Sequence, residues 1–405
     1  MRVYIGKGKA EGAIIAPLSK SYMHRYILGG LLSHEPVKIF CDRSRAFPKD
    51  VSLTLGAAAS FSHEVSLLGD GLTLSKGEKS SSAPLDCGES GSTLRFIIPS
   101  LLLVNGRAEL LLSDRLQNRG IGVYEELFAS KGIVIKQKPG SIEIVGELPS
   151  GDYTFSGASS SQYATGLLMA LPLADGDSHI HLLPPVNSAN YIDMTLDVLK
   201  QFGIKIKREG NDFCIPGNQT YAGGEYVCEG DYSGAAFLEA LNLFDGKVDV
   251  KGLNPDSLQG DRAYRKLFPL LANSHAEIDI SNCIDLGPIL FSVSAILHGA
   301  KFKGVQRLRI KESDRLSDML SELSKIGVSY RMDGEDGVEI FPAKADDVPQ
   351  GIVFHSHNDH RLAMALSVIA TRFGAYIEQA EAVSKSFPSF FDDLKCLGIR
   401  VSNDG

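Results

Sequence analysis

Four stretches of the chain repeat one alternation of apolar and polar positions. In "ELFASKGIVIKQKPGSIEIVG", "TLDVLKQFGIKIKREGNDFCI", "MLSELSKIGVSYRMDGEDGVEI" and "FDDLKCLGIRVSNDG", an amphipathic helical run ends at a glycine and a β-branched residue. An alternating strand follows each, and in the first three a polar turn leads into a second strand. Gly132, Gly203, Gly327 and Gly398 are predicted to take the left-handed C-cap conformation that a Cβ disfavours. Gly132 and Gly203 stand 71 residues apart, as do Gly327 and Gly398, and the second pair repeats the first at an offset of 195. Two equal spacings read as a duplication. A fainter third copy per half is expected at "LGAAASFSHEVSLLGDGLTL" and its counterpart "LFPLLANSHAEIDISNCIDL". A unit of about 70 residues exceeds the repeats of roughly 20 to 50 that stack as solenoids. The pattern therefore predicts a small αβ subdomain used several times per half, in two similar α/β domains with a ligand cleft between them.

The starts of the predicted helices share a chemistry. "GVQRLRI" alternates Val305, Arg307 and Arg309 against Gln306, Leu308 and Ile310, which predicts a strand. After it, Leu316, Met319, Leu320, Leu323 and Ile326 fall at helical spacing, with Ser313 or Asp314 placed to cap. Charge crowds this junction, and Lys311 and Arg315 point the same way if the turn is helical. A helix N-terminus offers unpaired N–H groups to a phosphate or carboxylate. "APLSKSYMHRYILGGLLS" places Lys20, Ser21 and Arg25 at another start, "CGESGSTLRFIIPSLLLV" places Gly91 and Ser92, and "SGASSSQYATGLLMALPLA" places Ser160, Ser161 and Gln162. "HNDHRLAMALSVIA" brings Arg361, and "SKSFPSFFDDL" brings Lys385 ahead of Pro388, a residue favoured in a first helical turn. Each has a plainer reading: a solvated charged face, a Ser/Gly linker, or a snorkelling arginine at 95 or 361. Their recurrence favours anion binding.

Composition narrows the classes. The 405 residues are 43% hydrophobic and 22% charged, which suits two or three globular domains. No stretch approaches the ~20 apolar residues of a membrane span, and "MRVYIGKGKAEG" lacks a secretory apolar region, so a cytoplasmic protein without membrane partners is expected. The six cysteines are scattered, with neither zinc-ribbon nor disulfide-framework spacing. A formal net charge of −8 argues against nucleic-acid binding, so cations for an anionic ligand must be gathered locally. Nucleotide-binding loops of the G-x-x-x-x-G-K-[ST] and G-x-G-x-x-G types are absent, as is G-x-S-x-G. His355 and His357 are placed on one strand face with His360 following, but no acidic or cysteine cluster accompanies them, and no metal is expected. "HIH" at 179 to 181 reads as two strand positions on one face.

The set "LSKSYMHR", "GESGSTLR", "SSSQYATGLLM", "NSANYID", "EGDYSGAAF", "GLNPDSLQGD", "RLRIKESDRL", "NDHRLAMA" and "SKSFPSFF" resembles the EPSP synthases, the 3-phosphoshikimate 1-carboxyvinyltransferases of the enolpyruvyl transferase family. The matches run in family order from Lys20 to Phe391. The resemblance implies an α/β fold of two similar domains, each of three βαβαββ units in an inverse α/β barrel, with the active site in the interdomain cleft. Residues 1–18 and 230–405 would form the domain holding both termini and 19–229 the inserted one, with crossovers near Leu18 and Gly230. The implied reaction moves the enolpyruvyl group of phosphoenolpyruvate to the 5-hydroxyl of shikimate 3-phosphate by addition and elimination, releasing phosphate. It needs no cofactor, and a monomer acting on these two small molecules is expected.

By matching position, Lys20, Ser21, Arg25, Ser160, Ser161, Gln162, Ser188, Tyr191, Asp285 and Lys311 would contact shikimate 3-phosphate. Lys20, Gly91, Arg119, Gln162, Arg315, Arg361 and Lys385 would surround phosphoenolpyruvate. Asp285 matches the family's general base and Glu312 a second acid/base group, with Lys20 also catalytic. Several positions depart from the family pattern. Gly120 stands where proline is usual after a segment one residue short, Arg307 where asparagine is common, and "GESGS" where G-N-[AS]-G-T is more frequent. The alternatives are the sister transferase acting on UDP-N-acetylglucosamine and a non-catalytic phosphometabolite-binding protein. The first typically carries a loop cysteine in its first half, where this chain has none between Cys87 and Cys214.

Overall fold

The computed structural model describes every residue except 43, 78–82, 344–347 and 404–405. The chain divides into two compact units, Met1–Ser19 with Gly230–Gly405, and Lys20–Glu229.

Three four-stranded sheets build the Lys20–Glu229 unit. Leu85–Gly88 runs parallel to Arg107–Leu112, which pairs antiparallel with Ser141–Val145, and Val134–Lys138 forms the edge. Gly151–Ser156, Ser178–Leu183, Asp212–Ile215 and Lys207–Glu209 repeat that order. The third sheet takes its first strand, Gly224–Val227, from the far end of the unit and sets it parallel to Val37–Phe40, ahead of Gly71–Lys76 and His63–Leu68. Parallel neighbours need a crossover, and a helix supplies it. Gly91–Asn105 and Ser161–Ala170 each follow the first strand of their sheet, and Lys20–Leu32 precedes Val37–Phe40. These three helices are apolar around most of their circumference and buried accordingly.

The other unit repeats the scheme. Ala276–Asp279, Ala300–Lys303, Gly337–Phe341 and Ser329–Met332 form one sheet in the same order. In the next, Val353–His355 and Ala375–Glu378 pair in parallel, and the N-terminal strand Arg2–Ile5 supplies the fourth member between Ala375–Glu378 and Val401–Asn403. The buried helices here are Tyr232–Ala240, Gly287–Ile296 and His360–Ala370. Gly132, Gly203, Gly327 and Gly398 all adopt positive φ, 72 to 86°, as the four repeated segments predict.

Three expectations need correction. The third copy in this unit has no hairpin among the described residues. Among the described residues Glu11–Ile15 pairs only with Lys247–Lys251, in parallel, and helix Tyr264–Asn273 hands the chain directly to Ala276–Asp279. The Asp279 carboxylate accepts from the Ser281 backbone N–H at 2.8 Å and turns the chain before a second strand can start. Residues 306–310 are a 3₁₀ turn, Gln306–Ile310, rather than a strand. Gly304, at φ 76°, ends the preceding strand, and Val305 and Leu308, three apart, are both buried, which a turn of three residues satisfies. Finally, only His355 of the 355/357 pair lies in a strand; His357 has φ 53°, beyond the strand's end.

Candidate functional site

Asp285 is the centre of a charge cluster in the unit holding both termini. It sits in the short 3₁₀ turn Ile284–Leu286, immediately before helix Gly287–Ile296. Its Oδ1 lies 2.8 Å from Arg315 Nη1 and 3.3 Å from Lys311 Nζ, and its Oδ2 accepts from Arg361 Nη2 at 3.1 Å. Arg361 Nη1 also donates to the Asp285 carbonyl at 3.1 Å. Three cations therefore converge on one carboxylate. Lys311 is extended rather than helical, so Lys311 and Arg315 meet Asp285 from a bend. Asp314 caps helix Arg315–Ser324 by accepting from the Ser317 N–H, which decides between the two predicted caps.

Arg315 is 1% exposed and also donates to Glu312 and, at 2.7 Å, to Asp359, which is itself fully buried. Burial works against its charge, but Asp359, Glu312 and Asp285 more than offset that, and the guanidinium is held more firmly protonated than usual. Burial pushes the Lys311 ammonium down, with Asp285 opposing. Asp359 caps helix His360–Ala370 through the Arg361 N–H. Lys385 ends a 3₁₀ turn, Ala380–Lys385, rather than opening a helix; the next helix begins at Phe390, two residues beyond Pro388. Its Nζ donates to the carbonyl of Asn358, the residue before Asp359, at 2.6 Å.

The second cluster belongs to the Lys20–Glu229 unit. Gly91 is the first residue of helix Gly91–Asn105, which Ser90 caps by accepting from the Thr93 N–H. A Cβ added there would lie 2.9 Å from Arg95 Nη1, 3.1 Å from Arg119 Nη2 and 3.3 Å from Gln162 Oε1. Gln162 accepts from Arg95 Nη1 at 2.7 Å and donates to Ser92 Oγ at 3.0 Å, which joins two helix starts. Pro99 explains part of this placement. It has no N–H to give the Arg95 carbonyl one turn back, and Tyr124 Oη makes that bond at 2.6 Å instead. Ser160 caps helix Ser161–Ala170 by accepting from the Gln162 N–H, and Ser188, at φ 55°, precedes helix Ala189–Gln201 without a side-chain capping bond.

Arg25 ties these helices together. It is 2% exposed and donates to the Ser21 carbonyl, the Tyr191 carbonyl at 2.9 Å and Thr195 Oγ1 at 2.9 Å. Burial lowers its pKa to about 10. Arg25 and Arg95 bond neutral oxygens, whereas Arg315 and Arg361 bond carboxylates. Lys20, the first residue of helix Lys20–Leu32, pairs with Asp50 at 2.8 Å. Asp50, Arg95, Asp359, Ser233 and Asp261 are not among the residues singled out for roles by sequence, although the last four lie inside the motifs that carried the resemblance.

The histidine tract has a structural explanation. His357 Nε2 lies 3.1 Å from Glu322 Oε1, the His355 N–H donates to Glu322 Oε2 at 2.9 Å, and His355 Nδ1 lies 3.0 Å from Glu378. These contacts brace the loop that delivers Asp359 and Arg361. Among the described residues no group of three or more His, Cys, Asp or Glu could hold a metal ion.

The family model for EPSP synthase (3-phosphoshikimate 1-carboxyvinyltransferase) matches residues 5–394. The chain belongs to the EPSP synthase family. A 3-phosphoshikimate 1-carboxyvinyltransferase of Clostridium acetobutylicum is 37% identical over 414 residues, covering 96% of this chain and 95% of that protein. One from Clostridium kluyveri is 34% identical over 429 residues, covering 98% and 97%. The fold is that of a solved EPSP synthase from Acinetobacter baumannii, with a TM-score of 0.78 and 22% identity over 99% of this chain and all of that one. Against the family pattern, Gly120 now has a physical reason. Its φ is 62°, which a proline ring locked near −65° cannot adopt, and the shortened segment still leaves Arg119 beside Gly91.

Proposed function

We infer that this EPSP synthase family member transfers the enolpyruvyl group of phosphoenolpyruvate to the 5-hydroxyl of shikimate 3-phosphate, with release of phosphate. The observation that carries the assignment of roles is Asp285, a carboxylate held by Lys311, Arg315 and Arg361. Two phosphates at roughly −1.5 to −2 each, with two carboxylates, bring a large negative charge that a chain of net −8 must meet with local cations.

The two units offer different electrostatics. Arg25 and Arg95 are bonded to neutral groups and keep their charge available to an anion, which supports substrate recognition by Lys20, Ser21, Arg25, Ser160, Ser161, Gln162, Ser188 and Tyr191. Gly91, Arg119 and Gln162 come together as a phosphoenolpyruvate cradle, with Lys20 serving both substrates. In the other unit, Lys311 holds the acceptor, and Arg315, Arg361 and Lys385 meet phosphoenolpyruvate. Asp285 takes the proton of the attacking hydroxyl while the methylene of phosphoenolpyruvate gains one; loss of phosphate and of that methyl proton then restores the double bond. Glu312, bonded to Arg315, carries the second proton. The enzyme acts in the cytoplasm as a monomer, with no metal or cofactor and with neither nucleic acid nor membrane as partner.

Phosphate release from purified protein given both substrates, against controls omitting either, tests this reading. Release that depends on both supports it; release with UDP-N-acetylglucosamine as acceptor, or binding without release, refutes it.

A further inference from the structure

Asp261 has no part in the chemistry described so far. It lies in the 3₁₀ turn Gly260–Ala263 and is 3% exposed. Its Oδ2 accepts the hydroxyl of Ser233, the second residue of helix Tyr232–Ala240. Ser233 Oγ in turn accepts from Arg361 Nη2 at 3.3 Å. The same nitrogen donates its other hydrogen to Asp285 Oδ2 at 3.1 Å. Arg361 is thus held between two carboxylates, one touched directly and one reached through a hydroxyl. Asp261, Ser233, Arg361 and Asp285 come from four separate segments, each at the start of a helix or in the turn before one.

We propose that Asp261 is a positioning residue for enolpyruvyl transfer. Through Ser233 it fixes the Arg361 guanidinium, and by sharing that charge with Asp285 it keeps the Asp285 carboxylate basic enough to accept the proton of the acceptor hydroxyl. The proposal rests on the reading above, in which Asp285 is the base and Arg361 meets phosphoenolpyruvate.

The charges around Asp285 fix the sign of the effect. Lys311, Arg315 and Arg361 favour its ionised form, while Glu312, Asp261 and, behind Arg315, Asp359 disfavour it. Cys283, on its own segment, is a thiol pushed up to about 12 by burial and adds no charge near neutrality. Burial raises Asp261 itself, Arg361 opposes this, and the charge of Asp285 raises it further, so each carboxylate of the pair disfavours ionisation of the other. Removing one acid from such a pair lowers the pH at which the other takes up a proton.

The test compares phosphate release by wild type, Asp261→Asn and Ser233→Ala across the acid limb of the pH profile, with folding checked by circular dichroism. Asp261→Asn keeps an oxygen for the Ser233 hydroxyl but removes the charge. Its acid limb is expected to move to lower pH, and its plateau kcat to fall several-fold. A folded Asp261→Asn enzyme whose limb overlies that of the wild type overturns the proposal, because a purely structural role would leave the limb in place. Ser233→Ala keeps the charge and breaks the bridge, so KM for phosphoenolpyruvate is expected to rise several-fold. An unchanged KM also overturns the proposal, and this variant decides the matter if Asp261→Asn does not fold. Loss of release from the wild type would instead refute the functional reading; calorimetric binding of phosphoenolpyruvate, weakened by Ser233→Ala or not, would then decide the role of the bridge.

Discussion

Arg315 and Asp359 are joined by two hydrogen bonds, Nε to Oδ2 at 2.7 Å and Nη2 to Oδ1 at 3.4 Å, with the arginine 1% exposed and the aspartate fully buried. Asp359 also caps the helix that carries Arg361. Breaking a buried pair leaves an uncompensated charge, which typically costs about 3–5 kcal/mol. Asp359→Ala is therefore expected to lower unfolding stability by an amount in that range, read by urea denaturation, and to disturb two cations at once. A loss within a few tenths of a kcal/mol of zero would show that Glu312 and Asp285 suffice for Arg315.

Asp285→Ala is expected to stay folded, because Glu312 and Asp359 remain on Arg315 and the Asp285 carbonyl and Ser233 remain on Arg361. Turnover should fall on the order of 10²–10⁴-fold, the usual contribution of a positioned base. Steady-state phosphate release with both substrates saturating measures this. An undiminished turnover number would remove Asp285 as the base.

Gly91→Ala would place a methyl group 2.9 Å from Arg95 Nη1 and 3.1 Å from Arg119 Nη2. Both neighbours are ends of long side chains, so the fold can absorb the change while the cradle shifts. KM for phosphoenolpyruvate is expected to rise, by up to about 100-fold for a misplacement near 1 Å, with KM for shikimate 3-phosphate changing less. Equal changes in both would argue that Gly91 does not face phosphoenolpyruvate.

His24 is buried 1% exposed, with Nδ1 2.7 Å from Thr54 Oγ1, and burial, reinforced by Lys20 and Arg25, holds its pKa well below the usual histidine range. The folded state thus binds fewer protons than the unfolded chain below the ordinary histidine pKa of ~6.5. Stability from this group is present above that pH and is lost as pH falls towards the depressed value, with a slope approaching ~1.4 kcal/mol per pH unit. Unfolding free energies of wild type and His24→Asn, compared from neutral pH downward, should diverge with that slope. Parallel curves would show that His24 takes up its proton at the same pH in the folded and unfolded chain.

Much of the molecule was legible in its sequence because local rules and periodicity fix local structure. The helix–glycine–strand repeat placed Gly132, Gly203, Gly327 and Gly398 in left-handed caps, since few residues other than glycine sit there without strain. The cation-bearing motifs fell at starts of helices at Lys20, Gly91, Ser161 and His360, and at the last three a capping side chain announces the turn. What could not be read was which charges meet. Alternation suggested a strand at 305–310, but a glycine with positive φ and the burial of Val305 and Leu308 made a 3₁₀ turn. Lys385 reaches Asn358 from a 3₁₀ turn, and Asp261 reaches Arg361 only through Ser233. The sequence by itself determined the elements, their caps and the types of residue available. The tertiary structure decided the pairings of Asp285 with Lys311, Arg315 and Arg361, because ion pairs and hydrogen bonds act over a few ångströms between segments 26 to 76 residues apart, a separation that no local rule records.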